Sequence, residues 1–463
     1  MSFRIDVEEW AEQQFSACDL GDQRRTKRLI EVAEQVANHP SASFPEQMQS
    51  WGDLKAAYRL FDSDDVTFGA IAGPHWKQTR AVPPGRYLVL GDTTEIDFGY
   101  RREIAGLAEI GNGSHRGFLL HNALMVEAQS QTLVGVAGQT IRYRTARPKK
   151  ENASQRFARD RESRVWGDVI DQIGPPAAGV EMVHVFDRGA DDFEVFCHLL
   201  ENKADWVVRA RSTHRNIIAP EGKMGSLNEY LPTLGLAGSY ELTLRARPKQ
   251  PARTAKLEVR FGTIKIPVPR HKSPYVQARK AEPIPMAVVW VREVNPPRGA
   301  KPIEWVLYTS LPVGTFEEAW SIVEYYECRW LIEEYHKALK TGCSVEERLL
   351  RSADRLEPMV GLMSVVAVRL LQLKSVARNE PDRPAREVVP SLWLQMLKAA
   401  RKNLRRVHDL TVHQFYRELA QLGGFLGRRS DGEPGWITIW RGWEKLNTLV
   451  RGARLAIKLN KCG

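Results

Sequence analysis

Three acidic residues stand where this chain could bind metal. Asp92 follows the apolar stretch YLVLG and Asp187 follows VHVF, so each falls at the end of a buried strand. A carboxylate there is costly unless it is paired, hydrogen-bonded or bound to a cation. Glu333 lies in TFEEAWSIVEYYECRWLIEEYHKALKTG, residues 315–342, which reads as one long helix. Thr315 and Glu318 form a capping box, Pro312 lies just upstream, and Gly342 is a stop. At about 100° per residue, Tyr326, Arg329, Glu333 and Lys340 share one stripe and Glu334 falls off it. One carboxylate flanked by two cations and a phenol suits an acidic metal ligand ringed by phosphate-binding groups. Phosphoryl transfer at two divalent ions needs several such carboxylates, and Mg²⁺ takes oxygen ligands. Each acid alone also has a plainer reading. Asp92 and Asp187 could be turn or N-cap residues. Glu333 could be half of an i,i+4 surface pair with Arg329.

The elements that would position these acids change character along the chain. Residues 1–75 read as helical, with Val7, Trp10 and Phe15, then Leu29, Ile30, Val32, Ala33 and Val36, at helical spacing. Between them GDQRRTKRL concentrates Arg24, Arg25, Lys27 and Arg28, either a solvated face or a DNA-docking helix. In a second segment Leu54, Ala57, Tyr58 and Phe61 share a face. From about residue 76 the pattern turns to strands: 86–90, 118–128 and 132–144, then a helical run over 151–173, the strand before Asp187, a helix, and a strand over 206–212. Asp92 and Asp187 lead the other acids nearby, Glu95, Asp97, Asp191 and Asp192, and His121 reads as a core or phosphate-side residue. Arg209, after the last of these strands, is placed to reach phosphate or simply faces solvent.

Residues 216–300 alternate polar and apolar as antiparallel strands do. They are rich in cations: Arg245, Arg247, Lys249, Arg253, Lys256, Arg260, Lys265, Arg270 and Lys272, which favours contact with DNA over mere edge protection. Further on, VGLMSVVAVRLLQL is a buried helix, 378–388 reads as a linker, and a helical module follows. That module carries Lys398, Arg401, Lys402, Arg405, Arg406 and exposed tryptophans that want a partner.

The whole chain has 463 residues, 43% of them hydrophobic, enough for two or three domains with cores. Lys and Arg number 67 against 56 Asp and Glu, a net +11, which favours a polyanionic partner such as nucleic acid. Five scattered cysteines, Cys18, Cys197, Cys328, Cys343 and Cys462, with no CxxC, point to a reducing compartment and against a zinc site or a disulfide framework. No apolar run reaches membrane-spanning length and the N-terminus is not a signal peptide, so a cytoplasmic protein is expected.

The order β-β-β-α-β-α-β, with one acid on the first strand and another just after the fourth, is that of an α/β, RNase H-like (retroviral integrase-like) core. Asp92-Thr93-Thr94, Asp187-Arg188 and the Tyr326-x2-Arg329-x3-Glu333-x6-Lys340 helix resemble the motifs of bacterial cut-and-paste DDE transposases of the IS-four family, Tn-five transposase type. The N-terminal GDQRRT and AAYR segments and the C-terminal GGF and GW pattern extend the resemblance almost end to end. It implies an end-binding helical domain over 1–75, with Arg24, Arg25, Lys27 and Arg28 among its DNA contacts. A catalytic domain over 76–377 would follow, interrupted by a DNA-clamping antiparallel β insertion at about 216–300. A helical dimerisation domain would span 378–463. The resemblance also implies Asp92, Asp187 and Glu333 as catalytic ligands of two Mg²⁺ ions, for which Mn²⁺ can substitute. Tyr326, Arg329 and Lys340 would hold an end phosphate, and Trp305 would stack on a thymine flipped out of the transposon end, beside Arg209. The function expected is metal-dependent excision and insertion of an insertion sequence by a dimer that synapses its inverted-repeat ends in bacterial cytoplasm. Another RNase H-like nuclease, such as a junction resolvase, and a non-catalytic DNA-binding regulator derived from a transposase are the alternatives.

Overall fold

The computed structural model describes residues 6–100, 104–145, 148, 150–152, 155, 161–244, 252–379, 381–404, 406–428 and 431–462. The chain opens with helices α1 (Val7–Phe15), α2 (Gln23–Asn38), α3 (Trp51–Phe61) and α4 (Phe68–Arg80). Side chains of Asp6, Asp22, Ser50 and Thr67 cap their first turns, satisfying backbone N–H groups that the helix cannot. Their apolar faces bury Trp10, Phe15, Leu29, Val36 and Phe61 in one core.

At the centre stand β1 (Gly85–Asp97), β2 (Ala108–Ile110), β3 (His115–Glu127), β4 (Leu133–Arg142), β5 (Val180–Phe186) and β6 (Asp205–Arg209). β3 runs antiparallel to both β1 and β4, while β5 runs parallel to β1 and to β6. Residues 216–309 continue this sheet as β7 (Asn216–Ile218), β8 (Met224–Ser226), β9 (Leu236–Leu244), β10 (Arg253–Ile266), β11 (Ile284–Glu293) and β12 (Glu304–Thr309). β12 joins the centre by pairing antiparallel with β6. The described strands form one sheet in the order β2-β3-β1-β5-β6-β12-β11-β10-β7-β8, with β4 on β3 and β9 on β10.

Alternation divides the sheet into two faces. One face of β1 and β5, with Tyr87, Val89 and Met182, meets α5 (Val165–Ile173). Along the same side of the sheet, Phe186 and Val208 pack with α6 (Phe193–Glu201). The opposite face, with Leu88, Leu90, Leu120, Val183, Val185 and Val207, meets α7 (Phe316–Cys328), α8 (Trp330–Lys337) and α9 (Ala353–Asn379). The C-terminal helices α10 (Ser391–Ala400), α11 (Val412–Leu422) and α12 (Trp436–Cys462) close over α9.

The expected single helix over 315–342 is two helices and a wider turn. The Thr315–Glu318 capping box is present, but α7 ends at Cys328, α8 begins at Trp330, and residues Ala338–Gly342 form a π-helical turn. Gly342 is not a left-handed stop. A Cβ there would approach Leu370 to 2.7 Å and Trp436 to 3.0 Å, and Ser344 takes the left-handed conformation instead. Residues 381–388, most of the stretch 378–388 expected as a linker, are held down: Ala385 N–H donates to Leu410 O, Val412 N–H donates to Arg383 O, and Ala385 and the adjoining Val389 are buried. The tryptophans expected to be exposed are also buried. Trp443 stacks on Trp440 at 4.5 Å and on Trp393 at 5.7 Å. Arg369 of α9 lies 5.0 Å from the Trp10 ring and 5.6 Å from the Trp443 ring, tying the two ends of the chain through cation–π contact. A composition rich in Trp does not tell an outward face from one that packs on a neighbouring helix.

Candidate active site

The sheet register explains why the two aspartates meet. Leu90 of β1 pairs with Val185 of the parallel β5, and Asp92 and Asp187 both stand two residues further on. Period-two alternation therefore turns both toward the α8 side of the sheet. Gly91, between Leu90 and Asp92, is required by contact: a Cβ there would come within 2.4 Å of Phe186 and 3.2 Å of Trp166. Asp92 Oδ1 accepts the Thr93 backbone N–H at 2.8 Å, and Asp187 Oδ1 accepts that of Gly189 at 2.7 Å. The N-cap role weighed for Asp187 is thus real, for the short turn Arg188–Ala190.

Arg329 occupies the junction of α7 and α8 and points at both other elements. Its Nη1 lies 3.7 Å from Asp92 Oδ2 and its Nη2 donates to Glu333 Oε1 at 2.6 Å. Burial raises the Asp92 carboxyl first, the charges of Asp187 and Glu333 add to that, and the Thr93 N–H and Arg329 pull it back. The net result is pushed up to about 6. Asp187 and Glu333 thus both lie near enough to Asp92 to raise it, and the guanidinium of Arg329 offsets them only in part. Such an oxygen-rich excess of negative charge fits a divalent cation in donor type and in charge. Among the described residues no three His, Cys, Asp or Glu side chains already enclose a metal position. Glu333, half-exposed, is engaged by Arg329 instead.

Beside this cleft, Trp305 of β12 meets Tyr326 of α7 edge to face at 5.5 Å. Arg209 Nη1 donates to the Tyr326 hydroxyl at 3.4 Å and Nη2 donates to Glu304 O at 3.0 Å. The structure so brings together Asp92, Asp187, Glu333, Arg329, Tyr326, Trp305 and Arg209. Lys340 lies within the π turn. Its ammonium lies 3.0 Å from Glu346 Oε1, which also accepts the Asp97 backbone N–H at 3.0 Å. Glu334, which falls off the stripe, is partly buried and accepts from Lys374 Nζ at 2.8 and 2.9 Å. Its role is to hold α8 against α9.

Arg24, Arg25, Lys27 and Arg28 stand apart on α2. Arg24 pairs with Asp22, Arg25 with Asp65, and Arg28 with Glu31 and Asp53, while Lys27 is exposed. Of the cations between 245 and 280, Arg253 pairs with Glu293, Arg260 pairs with Glu258, and Lys256, Lys265 and Arg270 are exposed. Arg245, Arg247, Lys249 and Arg405 lie outside the described residues. Arg211 and Arg215 went unnoticed in the sequence. Arg211 donates to Arg188 O and Gly189 O, bracing the turn that carries Asp187. Asp191 accepts the Arg211 N–H at 2.8 Å and pairs with Arg215. Charged residues this common announce no such role by spacing alone.

The central sheet, in the order β3-β1-β5-β6, carries acids at the ends of two neighbouring parallel strands, an arrangement consistent with an RNase H-like fold. Three family models match the chain: Transposase DNA-binding over residues 7–66, Transposase DDE domain over 148–368, and Transposase Tn5 dimerisation domain over 365–463. The chain belongs to the Tn5-type, IS4-family DDE transposases. It is a polynucleotidyl transferase that binds DNA and forms a homodimer, which sets aside the resolvase and non-catalytic readings. Membership implies dependence on a divalent metal. Among the described residues no helix is long and apolar enough to cross a membrane.

Proposed function

We propose that the chain excises an insertion sequence and pastes it into target DNA, with Asp92, Asp187 and Glu333 as the catalytic acids. What supports this reading most is the placement of Asp92 and Asp187 at the ends of neighbouring parallel strands, with Arg329 reaching both Asp92 and Glu333. The three carboxylates would hold two Mg²⁺, or Mn²⁺ in its place, which supply Lewis-acid stabilisation of charge developing on phosphate oxygens. Water nicks the transposon end and leaves a 3′-OH. That hydroxyl attacks the opposite strand to form a hairpin, water reopens it, and the same hydroxyl then attacks target DNA. At each displacement Arg329 moves from Glu333 toward the incoming phosphate, freeing the carboxylate and replacing its charge. Lys340 exchanges Glu346 for DNA in the same way. Trp305, with Tyr326 at its edge and Arg209 behind, offers an apolar face for a base extruded from the hairpin.

In this reading residues 1–75 recognise the inverted-repeat end through the basic face of α2. Residues 76–377 are the catalytic domain, whose β insertion at about 216–300 clamps DNA with Lys256, Lys265 and Arg270, and 378–463 bring two copies together on synapsis. The test is to incubate the purified protein with Mg²⁺ and DNA carrying its inverted repeats and to look for hairpinned and blunt excised ends. Cleavage surviving Asp92→Ala, Asp187→Ala or Glu333→Ala would sink the assignment of that residue.

A further inference from the structure

Behind the acid cleft a chain of buried polar groups crosses the sheet. Asn122 of β3 is the cross-strand partner of Asp92, and Gln139 of β4 is the partner of Asn122, so the three share one face. Asn122 and Gln139 are almost fully buried, as are Ser364 of α9 and Tyr335 of α8. His336, one helical turn beyond Glu333, is buried against them.

The direction of every hydrogen bond follows from one donor. The Trp76 indole can only donate, and it donates to Gln139 Oε1 at 3.1 Å. The Gln139 Nε2 group must therefore face the other way, toward Asn122 Oδ1 at 2.6 Å and Ser364 Oγ at 3.1 Å. With its oxygen so engaged, Asn122 turns Nδ2 to Leu120 O at 3.2 Å and to His336 Nε2 at 3.0 Å. His336 Nε2 accepts, so its ring is neutral with the proton on Nδ1. Burial favours the same state, with the Lys340 and Arg329 charges adding to it. An apolar pair would fill this space at less desolvation cost, but it would not choose one rotation of α8 over another. A satisfied buried network does.

We infer that the Trp76–Gln139–Asn122–His336 chain fixes the rotation of α8 and so sets Glu333 over Asp92, making Asn122 and His336 positioning residues for transposition. This rests on the proposal that Glu333 is a catalytic acid. The carboxylate leaves a flexible side chain half in solvent, and the network supplies the rigidity of its base.

The experiment uses the full chain, inverted-repeat DNA and a Mg²⁺ titration. His336→Leu removes the acceptor, His336→Asn is too short to present one at the Nε2 position, and His336→Gln can place Oε1 there. Loss of a group bonded directly to a metal ligand costs roughly 10–100-fold, and His336, which acts on Glu333 through α8, is placed at the lower end of that range. His336→Leu and His336→Asn should therefore slow end cleavage by at least about tenfold. Both should also raise the Mg²⁺ concentration for half-maximal rate, with metal-free end binding within about twofold of the unaltered chain. His336→Gln should recover most of the rate. Native cleavage by both His336→Leu and His336→Asn would overturn the inference, and so would His336→Gln no better than His336→Asn, or binding and cleavage falling together. Glu333→Ala, measured alongside, separates the two ideas. If it is dead while His336→Asn is native, only the positioning role fails; if it cleaves, the role of Glu333 itself fails.

Discussion

Glu333 and Glu334 are neighbours on α8 with opposite surroundings. The Glu333 side chain is 52% exposed and shares its cation, Arg329, with Asp92. The Glu334 side chain is 11% exposed and neutralised by Lys374, itself equally buried. The same contrast runs through the two layers they belong to. The front layer keeps like charges together at an energetic cost, and the back layer satisfies its buried polar groups with one another. Strain at the front suits a site that waits for a cation and DNA; satisfaction at the back is what makes it tolerable.

Breaking the front layer should cost activity. Asp92→Ala, Asp187→Ala and Glu333→Ala should each lower end cleavage by at least about a thousandfold, the loss of several kcal/mol of transition-state charge stabilisation. Thermal unfolding of Glu333→Ala should stay near the native midpoint, whereas Asp187→Ala also removes the cap on Gly189 N–H and should lower it slightly.

The buried layers are sharpened by acid. His75 is held down to about 4, and His121, His184 and His336 to about 3, all chiefly by burial. Their unfolded-state value is near 6.5, so between those values the unfolded chain binds more protons than the folded one. The stability these four rings contribute is therefore full above about pH 6.5 and is lost as pH drops toward 3, while Asp92, raised to about 6, works the other way by a single proton. Denaturant titrations across that window should show the midpoint falling with pH. A flat profile would mean that these rings do not have to charge on unfolding.

Glu334→Ala leaves Lys374 buried without this partner, and about 2 kcal/mol of stability should be lost. Trp305→Ala should leave nicking intact and slow hairpin formation roughly tenfold, the worth of one stacked base; a gel that resolves nicked from hairpinned ends separates the two steps. The smallest change is Lys27→Ala. It should weaken end binding and reduce the slope of log affinity against log salt by about one if that lysine meets a phosphate, and by nothing if it stays solvated.

What could be read from the sequence was what lies close along it. Asp92 and Asp187 were legible because a buried strand followed by an acid is unusual in itself. Glu333 stood out because Tyr326, Arg329 and Lys340 lie close to it along the sequence, although they fall on two helices and a π turn. The back layer was not, because Gln139 meets Tyr335 across 196 residues and Ser364 across 225, and Lys374 reaches Glu334 across 40. The π turn escaped because helical periodicity assumes a constant angle, and Lys340, paired with Glu346, lies within it. The sheet order around β1 could be anticipated from alternating strands and helices. The buried tryptophans of α12 could not, since their partner Trp393 lies on another helix.

The most direct test of the account measures unfolding midpoint and metal-dependent end cleavage together for Glu333→Ala and Glu334→Ala. The account predicts native stability with no cleavage for the first. For the second it predicts a lowered midpoint, with near-native cleavage at temperatures where the variant remains folded. Cleavage retained by Glu333→Ala, or abolished in a fully folded Glu334→Ala, would contradict it.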